Sequence, residues 1–275
     1  MKIAKAQIRA VSALIPIALI ALLASCTSSS IGSASGAAAA VTNGGATSSA
    51  DGKGTEFDLA VRNNADSIPL IDQNGAQTSL GALKGKYLVI APFLTTCQEI
   101  CPMVSANFGR LSRAVSKAGL NDKIALVELS VDPATDTPAR LLAYQKIFGA
   151  EPNWSFYTGR PADVSKVLAA LGIAFETRML TKSEIKSGTP DWQTGKVVNH
   201  DVSHQDVVII IGPDGHEKWL EEGIANTEGR SIPKRLNKYL SSQGQHNLAS
   251  PDPMGSWAVG DVLQKLSKFG GFKFA

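Results

Sequence analysis

The most strongly patterned stretch of the chain is an apolar run, a short polar turn and an amphipathic segment. Residues 87–94 read YLVIAPFL, and residues 95–103 read TTCQEICPM. Apolar residues then recur with helical spacing, and the proline in the turn suits the first turn of a helix. These positions are Val104, Phe108, Leu111 and Val115, preceded by Pro102. The pattern predicts a buried strand, a loop with two cysteines and a helix.

Two further strand-and-helix pairs follow. Ile124 to Val131 is an apolar run that predicts a second strand, and Thr137-Pro138 then begins a helix that Gly149 ends. Trp154 to Tyr157 predicts a third, short strand. Val164, Val167, Leu168 and Leu171 have helical spacing, and Gly172 ends that helix.

Hairpins are predicted on either side of these pairs. Asn74-Gly75 forms the turn of an early hairpin within residues 67–80. Val207 to Ile211 is a β-branched strand, and residues 218–220 can pair back across the turn Gly212-Pro213-Asp214-Gly215. A last helix is predicted from Ile232, Leu236, Tyr239 and Leu240. This order predicts an α/β protein with a thioredoxin-like three-layer α/β/α sandwich and an N-terminal β-hairpin, spanning residues 56–244.

The first 25 residues have the pattern of a targeting segment. Lys2, Lys5 and Arg9 precede an uncharged, mostly apolar run that is short for a membrane span. The run ends Leu23-Ala24-Ser25-Cys26, which resembles a bacterial lipobox, so residues 1–25 are predicted to be a lipoprotein signal peptide and Cys26 the lipidated residue. A plain signal peptide or an uncleaved anchor is the alternative. The prediction places the protein outside the cytoplasm as a membrane-anchored lipoprotein, on the periplasmic side in a host with two membranes.

Two segments beyond the predicted domain carry weaker patterns. Residues 26–55 are rich in Ser, Gly and Ala without apolar periodicity, which predicts a flexible tether. Residues 245–275 form a C-terminal extension in which Val259, Val262, Leu263 and Leu266 have helical spacing. We expect that helix to dock on the domain, with contact to a membrane surface as the alternative.

Charge and cysteine content narrow the function. The chain has 27 basic and 24 acidic residues, and the first 25 residues hold three basic and no acidic ones, so 24 of each remain after their removal. This balance argues against a nucleic-acid partner. Of the three cysteines, one is assigned to lipid, which leaves Cys97 and Cys101 as a pair. Outside the cytoplasm such a pair is oxidised unless a reductant or a metal holds it.

The pair lies where thiol chemistry is favoured. A helix N-terminus stabilises thiolate over thiol, so Cys97 and Cys101 are candidates for a redox-active pair or for metal ligands, with a structural disulfide as the plain alternative. In a thioredoxin-like topology the strand after His204 runs antiparallel to the strand before the cysteines, which brings His204 to the same edge of the sheet. Two thiolates and an imidazole suit copper, above all Cu(I), whereas structural zinc wants a fourth protein ligand that we do not find.

Several stretches together resemble the Sco/SenC family of thioredoxin-fold copper proteins that assist cytochrome c oxidase assembly. They are Leu83-Lys84-Gly85-Lys86, the CxxxCP motif at residues 97–102, Ser130-Val131-Asp132-Pro133 with Asp136-Thr137-Pro138, and His204 before Gly212-Pro213-Asp214-Gly215. The resemblance implies that Cys97, Cys101 and His204 bind copper, as Cu(I) or Cu(II). It further implies a metallochaperone whose partner is a copper-accepting oxidase subunit or another copper chaperone. The chain departs from the family's pattern at Gln98, Ser203 and Gln205.

Other readings of the same residues stay open. A membrane-tethered thiol-disulfide oxidoreductase would use the cysteine pair to reduce a partner's disulfide, and a peroxiredoxin-like peroxidase would need activating Thr and Arg residues that we do not find. Asp132 and Asp136 could bind a cation, but Asp136 or Thr137 capping the next helix explains that pattern better. His200 is expected to be a solvated loop residue and His216 to be exposed.

Overall fold

The computed structural model describes residues 47–48, 53–149, 151–252 and 255–274. Its strands are β1 Thr47–Ser48, β2 Thr55–Ala60, β3 Leu70–Asp72, β4 Gln77–Thr78, β5 Tyr87–Phe93, β6 Ile124–Ser130, β7 Trp154–Thr158, β8 Phe175–Met179, β9 His200–His204, β10 Val207–Ile211, β11 His216–Glu222, β12 Ile224–Ala225 and β13 Ser256–Trp257. Its α-helices are α1 Cys101–Lys117, α2 Pro138–Phe148, α3 Pro161–Ala170, α4 Lys182–Ser187, α5 Lys234–Asn237, α6 Ser242–Ala249 and α7 Val259–Gly270.

A mixed sheet forms the centre of the fold. Its strand order is β1-β2-β11-β10-β5-β6-β7-β3-β4. β5, β6 and β7 are parallel, while β10 runs antiparallel to β5 with Ile209 opposite Ile90. Six of the seven residues of β5 and all seven of β6 are buried, as expected for central strands that are covered on both faces. With helices packed on this sheet, the predicted thioredoxin-like α/β fold is confirmed.

Most of the predicted elements have the predicted ends. α1 follows β5 directly after the cysteine loop, and Thr137 caps α2 by accepting a hydrogen bond from the backbone N–H of Arg140 at 3.4 Å. The early hairpin is β3–β4 at the edge of the sheet, beside β7. Its turn requires Gly75 at a φ of 83°, a left-handed conformation that glycine adopts without steric cost.

The predicted last helix is wrong in position. The segment around Leu236 contains only the four-residue helix α5, because Pro233 precedes it and the chain turns away after Asn237. A helix of the predicted C-terminal extension, α7, packs against α1. Val262 and Leu266 of α7 are fully buried, so the expectation that this segment docks on the domain is confirmed.

The N-terminal boundary also differs from the prediction. β1 and the first residue of β2 lie within residues 26–55, the stretch expected to be a flexible tether. β2 pairs with β11 and β1 pairs with β2, so this part extends the sheet. The sequence TEFDLA in β2 mixes polar and apolar residues and its burial is only partial, which is why it carried no clear strand signal. The rest of the predicted tether and the predicted signal peptide lie outside the described residues.

Candidate metal centre

The cysteine loop connects β5 to α1, and its first sulfur caps the helix. Cys97 Sγ accepts hydrogen bonds from the backbone N–H groups of Ile100, at 3.5 Å, and Cys101, at 3.3 Å. α1 has no side-chain N-cap hydrogen bond of the ordinary kind, so the sulfur satisfies donors that would otherwise be unpaired. Both cysteines are free thiols; Cys101 is fully buried and Cys97 is half-buried.

The two sulfurs have opposite protonation tendencies. A hydrogen bond from the Cys101 thiol, helped by the backbone N–H groups at the start of α1, lowers the pKa of Cys97 to about 6. Burial raises the pKa of Cys101 well above that of an ordinary thiol, and the neighbouring Cys97 raises it further. Near neutral pH the pair therefore holds one accessible thiolate and one buried thiol, which is the arrangement of a nucleophile and its resolving partner.

His204 reaches the same place from a different hairpin. It is the last residue of β9, which pairs with β8 rather than with the central sheet. Its Nε2 lies 4.0 Å from Cys101 Sγ, and its Nδ1 lies 3.1 Å from the carbonyl oxygen of Gln205. A carbonyl oxygen only accepts, so Nδ1 carries the proton of the neutral ring and the lone pair is on Nε2, facing the thiol.

The three side chains carry donor atoms that suit a soft metal ion, but these atoms must move closer together to bind one ion. Among the described residues, the donor atoms of Cys97, Cys101 and His204 do not all lie within 4.8 Å of one another. A bound ion would therefore draw at least one side chain inward. Two sulfurs and one imidazole are the ligands that Cu(I) prefers.

An acidic residue that the sequence did not single out lies next to the histidine. Asp206 Oδ1 is 3.8 Å from His204 Nδ1. Burial raises the pKa of Asp206, the electrostatic effect of the neighbouring His204 lowers it, and the nearby Glu99 raises it. Asp206 lies nearest Nδ1 of the ring, whereas Nε2 lies near Cys101 Sγ, so its carboxylate can support the orientation of the imidazole.

The family model for SCO1/SenC matches residues 63–240, well over half of the chain. The chain belongs to the SCO1/SenC family. This confirms the resemblance inferred from the CxxxCP motif and the stretches around Asp132 and His204.

Individual proteins are similar to parts of this chain. A protein from Stutzerimonas stutzeri, named as a candidate copper-binding protein, is 28% identical over 148 residues, which cover 54% of this chain and 64% of that protein. The chain thus spans less than two thirds of the length of that relative. The SCO1 protein homolog of Bacillus subtilis is 26% identical over 157 residues, covering 57% of this chain and 72% of that one.

Solved structures from the same family resemble the chain. A SCO1/SenC family lipoprotein from Bacillus anthracis superposes with a TM-score of 0.49 and 21% identity, covering 74% of this chain and 92% of that one. ScoI of Bradyrhizobium japonicum with copper bound superposes with a TM-score of 0.45 and 24% identity, covering 63% of this chain and 97% of that one.

A buried polar network anchors the start of the cysteine loop in this SCO1/SenC chain. Asp136 accepts hydrogen bonds from the backbone N–H of Thr95 at 3.2 Å and from the Ser130 hydroxyl at 2.6 Å. Burial raises the pKa of Asp136 to about 6, against the lowering effect of these hydrogen bonds. Arg140 donates to Thr95 and pairs with Asp191. Thr137, not Asp136, caps α2, so Asp136 is free to hold the loop.

His200 is not the solvated loop residue that we expected. It lies on β9, its side chain is 18% exposed, and its Nε2 is 2.8 Å from Asp132 Oδ2. Residues four apart on a strand lie on the same face but about 13 Å from one another, so His200 cannot join His204 on one ion. Its partner is 68 positions away in the chain, which is why local pattern gave no sign of the pair.

His216 belongs to a separate cluster at the surface. It lies on β11, is 38% exposed, and its Nδ1 is 2.8 Å from Asp58 Oδ1. With Asp214 these residues form the one His and carboxylate group of metal-binding spacing among the described residues. The ammonium of Lys218 lies 2.7 Å from both carboxylates, so a cation of the protein's own already occupies the cluster.

The candidate metal centre opens into a cleft of about 500 Å³ beside the β8–β9 hairpin. Cys97, Ile100, Leu180 and His204 are among the residues that line it. Gln98, where the sequence departs from the family's pattern, donates from Nε2 to the carbonyl oxygens of Thr189 and Pro190 at 3.1 and 2.9 Å. Because Cys97 and His204 line this cleft, an incoming molecule can approach both of them from one side.

Among the described residues no helix is long and apolar enough to cross a membrane, and Cys26 lies outside them.

Proposed function

We propose that the protein is a copper metallochaperone that binds copper through Cys97, Cys101 and His204 and delivers it during cytochrome c oxidase assembly. The observation that carries the proposal is the approach of His204 Nε2 to Cys101 Sγ at 4.0 Å, between residues 103 positions apart in the chain. Membership of SCO1/SenC supports it, as does the similarity to a Stutzerimonas stutzeri protein named as a candidate copper-binding protein.

Each of the three residues has a distinct part in holding the cargo. Cys97 offers a thiolate without prior loss of a proton, because its pKa is lowered to about 6. Cys101 has to release its proton on binding, so copper uptake should release about one proton near neutral pH. His204 presents a lone pair fixed by the carbonyl oxygen of Gln205. Copper bound there would have two sulfur ligands and one nitrogen ligand. This set suits Cu(I), and the imidazole nitrogen matters most for Cu(II).

The open side of the centre supports transfer rather than storage. Cys97 and His204 line the cleft, while Cys101 is fully buried beneath them. A recipient could displace the two ligands that line the cleft first and the buried sulfur last. We therefore expect the partner to be a copper-accepting oxidase subunit or another copper chaperone that presents sulfur or imidazole ligands of its own.

The test measures copper binding of the reduced domain and three variants. Wild type should bind one copper per domain, and His204→Ala should lose the Cu(II) complex and its thiolate charge-transfer absorption while keeping an oxidisable dithiol. The double variant Cys97→Ser with Cys101→Ser should lose Cu(I) binding. His216→Ala is the matched control, since it removes a histidine outside the centre. Equal copper affinity in wild type, His204→Ala and the double cysteine variant would contradict the proposal.

A thiol-disulfide oxidoreductase is the second candidate, favoured by the split protonation of the pair. The Cys97 thiolate would attack a partner's disulfide and expel one partner thiolate. Cys101, after losing its proton, would then attack Cys97 Sγ, form the Cys97–Cys101 bond and release the second partner thiolate. Cys101→Ser should trap the mixed disulfide on Cys97, visible as a covalent adduct that a reductant removes. Lack of any adduct with disulfide substrates would remove this candidate.

We also propose that lipid on Cys26 holds the protein outside the cytoplasm at a membrane. The proposal rests on the sequence Leu23-Ala24-Ser25-Cys26 after an apolar run with a basic head. Membrane fractions should contain the wild-type protein, whereas Cys26→Ser should release it or block its processing. Cys97→Ser serves as the control, because it changes a cysteine without touching the proposed anchor. Wild-type protein found wholly in the soluble fraction would contradict the anchor.

A further inference from the structure

The C-terminal segment between β12 and β13 packs over the cysteine loop, and its two ends lie side by side. β12, at residues 224–225, pairs in parallel with β13, at residues 256–257. The chain between them carries α5 and α6. The family model's match ends at residue 240, so α6 lies beyond the part of the chain that identifies the family.

α6 contacts the two residues that follow Cys97. The backbone N–H of Ser241 donates to the carbonyl oxygen of Gln98 at 3.0 Å. Asn247 donates from Nδ2 to the carbonyl oxygen of Glu99 at 3.3 Å, and the Ser241 hydroxyl donates to the Glu99 carboxylate at 3.3 Å. The two backbone carbonyls between Cys97 and Ile100, those of Gln98 and Glu99, are therefore both held by α6 and its N-cap residue.

The glycine within α6 makes this approach possible. A Cβ at Gly244 would lie 2.1 Å from the Gln98 carbonyl oxygen and 3.1 Å from Glu99 Cα. Gly244 is buried and lies in the first turn of α6, where its backbone N–H donates to the Ser241 hydroxyl at 3.1 Å. Its φ is not in the left-handed region. Close approach to the loop, rather than an unusual backbone conformation, accounts for the glycine.

The loop is held from its other side as well. The Gln98 side chain donates to two carbonyl oxygens in the segment after α4, those of Thr189 and Pro190. The backbone of Gln98 is bound to α6 and its side chain to this second segment. The stretch between the two cysteines is therefore fixed by contacts with two separate parts of the chain.

We propose that α6 is a positioning element that holds the cysteine loop in its dithiol conformation and so disfavours the Cys97–Cys101 disulfide. The inference rests on the dithiol of the proposed function but not on copper. An S–S bond requires the two sulfurs to close to about 2.05 Å, with a specific dihedral angle, which a loop bound to α6 resists. Contacts present in the dithiol and weakened in the disulfide shift the equilibrium toward the dithiol. The contacts between α6 and the cysteine loop therefore keep both sulfurs in the dithiol form.

The experiment measures the dithiol–disulfide equilibrium of the full chain in dithiothreitol redox buffers. The two thiols lose two protons and two electrons as the S–S bond forms, and oxidised dithiothreitol takes up both to become its dithiol. Gly244→Ala should push α6 off the loop and favour the disulfide about tenfold, which is about 30 mV toward more negative potential for a two-electron couple. Gly260→Ala is the matched control, because a Cβ at Gly260, also in a helix, meets nothing within 4 Å.

A second variant covers the case in which Gly244→Ala does not fold. Asn247→Asp keeps the size of the side chain and its acceptor for Gln243 but loses the donor to the Glu99 carbonyl. It should shift the equilibrium in the same direction by a smaller factor. A potential unchanged from wild type in the folded variants, or an equal shift in Gly260→Ala, would overturn the proposal. Copper binding by wild type is scored separately, so failure of the metallochaperone function leaves this test intact.

Discussion

At the scale of single residues, the centre is organised by an asymmetry between two sulfurs. Cys97 accepts hydrogen bonds at the start of α1 while Cys101 lies fully buried behind it. The first sulfur is thereby the reactive one, whether it meets a copper ion or a disulfide. No local pattern distinguishes the two cysteines, because the difference arises from burial and from backbone donors that exist only once α1 has formed.

The reactivity of Cys97 should follow its pKa. A thiolate forms as pH rises through the pKa, so alkylation of Cys97 by iodoacetamide should reach half its maximal rate near pH 6, about 2.5 pH units below an ordinary cysteine. The measurement is the pH–rate profile followed by mass spectrometry. In Cys101→Ala the midpoint should move up, because the hydrogen bond from Cys101 is the largest cause of the lowering. A wild-type midpoint between pH 8 and 9 would contradict the assignment.

Residue-scale prediction from sequence succeeded where spacing in the chain is short. The CxxxC motif and the helix after it placed Cys97 and Cys101 directly. His200 was misjudged because its partner, Asp132, lies 68 positions away. The capping prediction for Asp136 or Thr137 is confirmed for Thr137, but the hydrogen bond from Thr95 to Asp136, across 41 positions, left no sign in the sequence. A polar side chain in a short motif reads as a cap or a loop residue until the packing of distant strands shows what it faces.

At the scale of elements, burial was easier to predict than conformation. Ile232, Leu236 and Leu240 are buried as their spacing indicated, but only α5 between them is helical. β8 was missed altogether, because all five of its residues are exposed and show no apolar alternation. The hairpin that it forms with β9 is nevertheless what carries His204 to the cysteines. Long apolar runs identify the sheet, whereas a site built on an exposed hairpin leaves no such trace.

α7 should contribute to stability as a full member of the core. It packs against α1, and the Tyr87 hydroxyl donates to the Phe269 carbonyl oxygen at 2.7 Å. Leu266 is fully buried, so Leu266→Ala should lower the free energy of unfolding by about 2–5 kcal/mol. Urea unfolding measures the loss. Gln264→Ala, at an exposed position of the same helix, should stay within about 0.5 kcal/mol. Equal losses in the two variants would mean that α7 is a passive extension.

At the scale of the whole molecule, a carboxyl group in the core couples stability to pH. Glu128 is fully buried on β6, where its carboxylate oxygens accept from the Trp154 indole at 3.1 Å and the Ser105 hydroxyl at 2.7 Å. Burial raises its pKa from 4.5 to about 8, against the lowering effect of both hydrogen bonds. This group lies between α1 and the sheet, so its ionisation changes the free energy of unfolding of the whole domain.

The sign of the effect follows from which state binds more protons. Below about pH 4.5 the carboxyl is protonated in both states and adds no pH dependence. Between about pH 5 and 8 the folded state keeps the proton that the unfolded state has lost, so stability falls as pH rises, by about 1.4 kcal/mol per pH unit. Asp136, with a pKa of about 6, adds a slope of the same sign at the acid end. Cys97, whose pKa is lowered, adds an opposite slope above about pH 6.

Glu128→Gln separates this contribution from the other two. The amide can accept from Trp154 and donate to Ser105 without carrying a charge, so the packing is kept while the proton is removed from the balance. The unfolding free energies of wild type and variant, measured in urea at pH 5, 6, 7 and 8, should diverge steadily in favour of the variant as pH rises. Since Asp136 and Cys97 are present in both proteins, their slopes cancel in the difference. A difference that is constant over this range would mean that Glu128 is ionised in the folded core, with Ser105 and Trp154 sufficient to hold the charge.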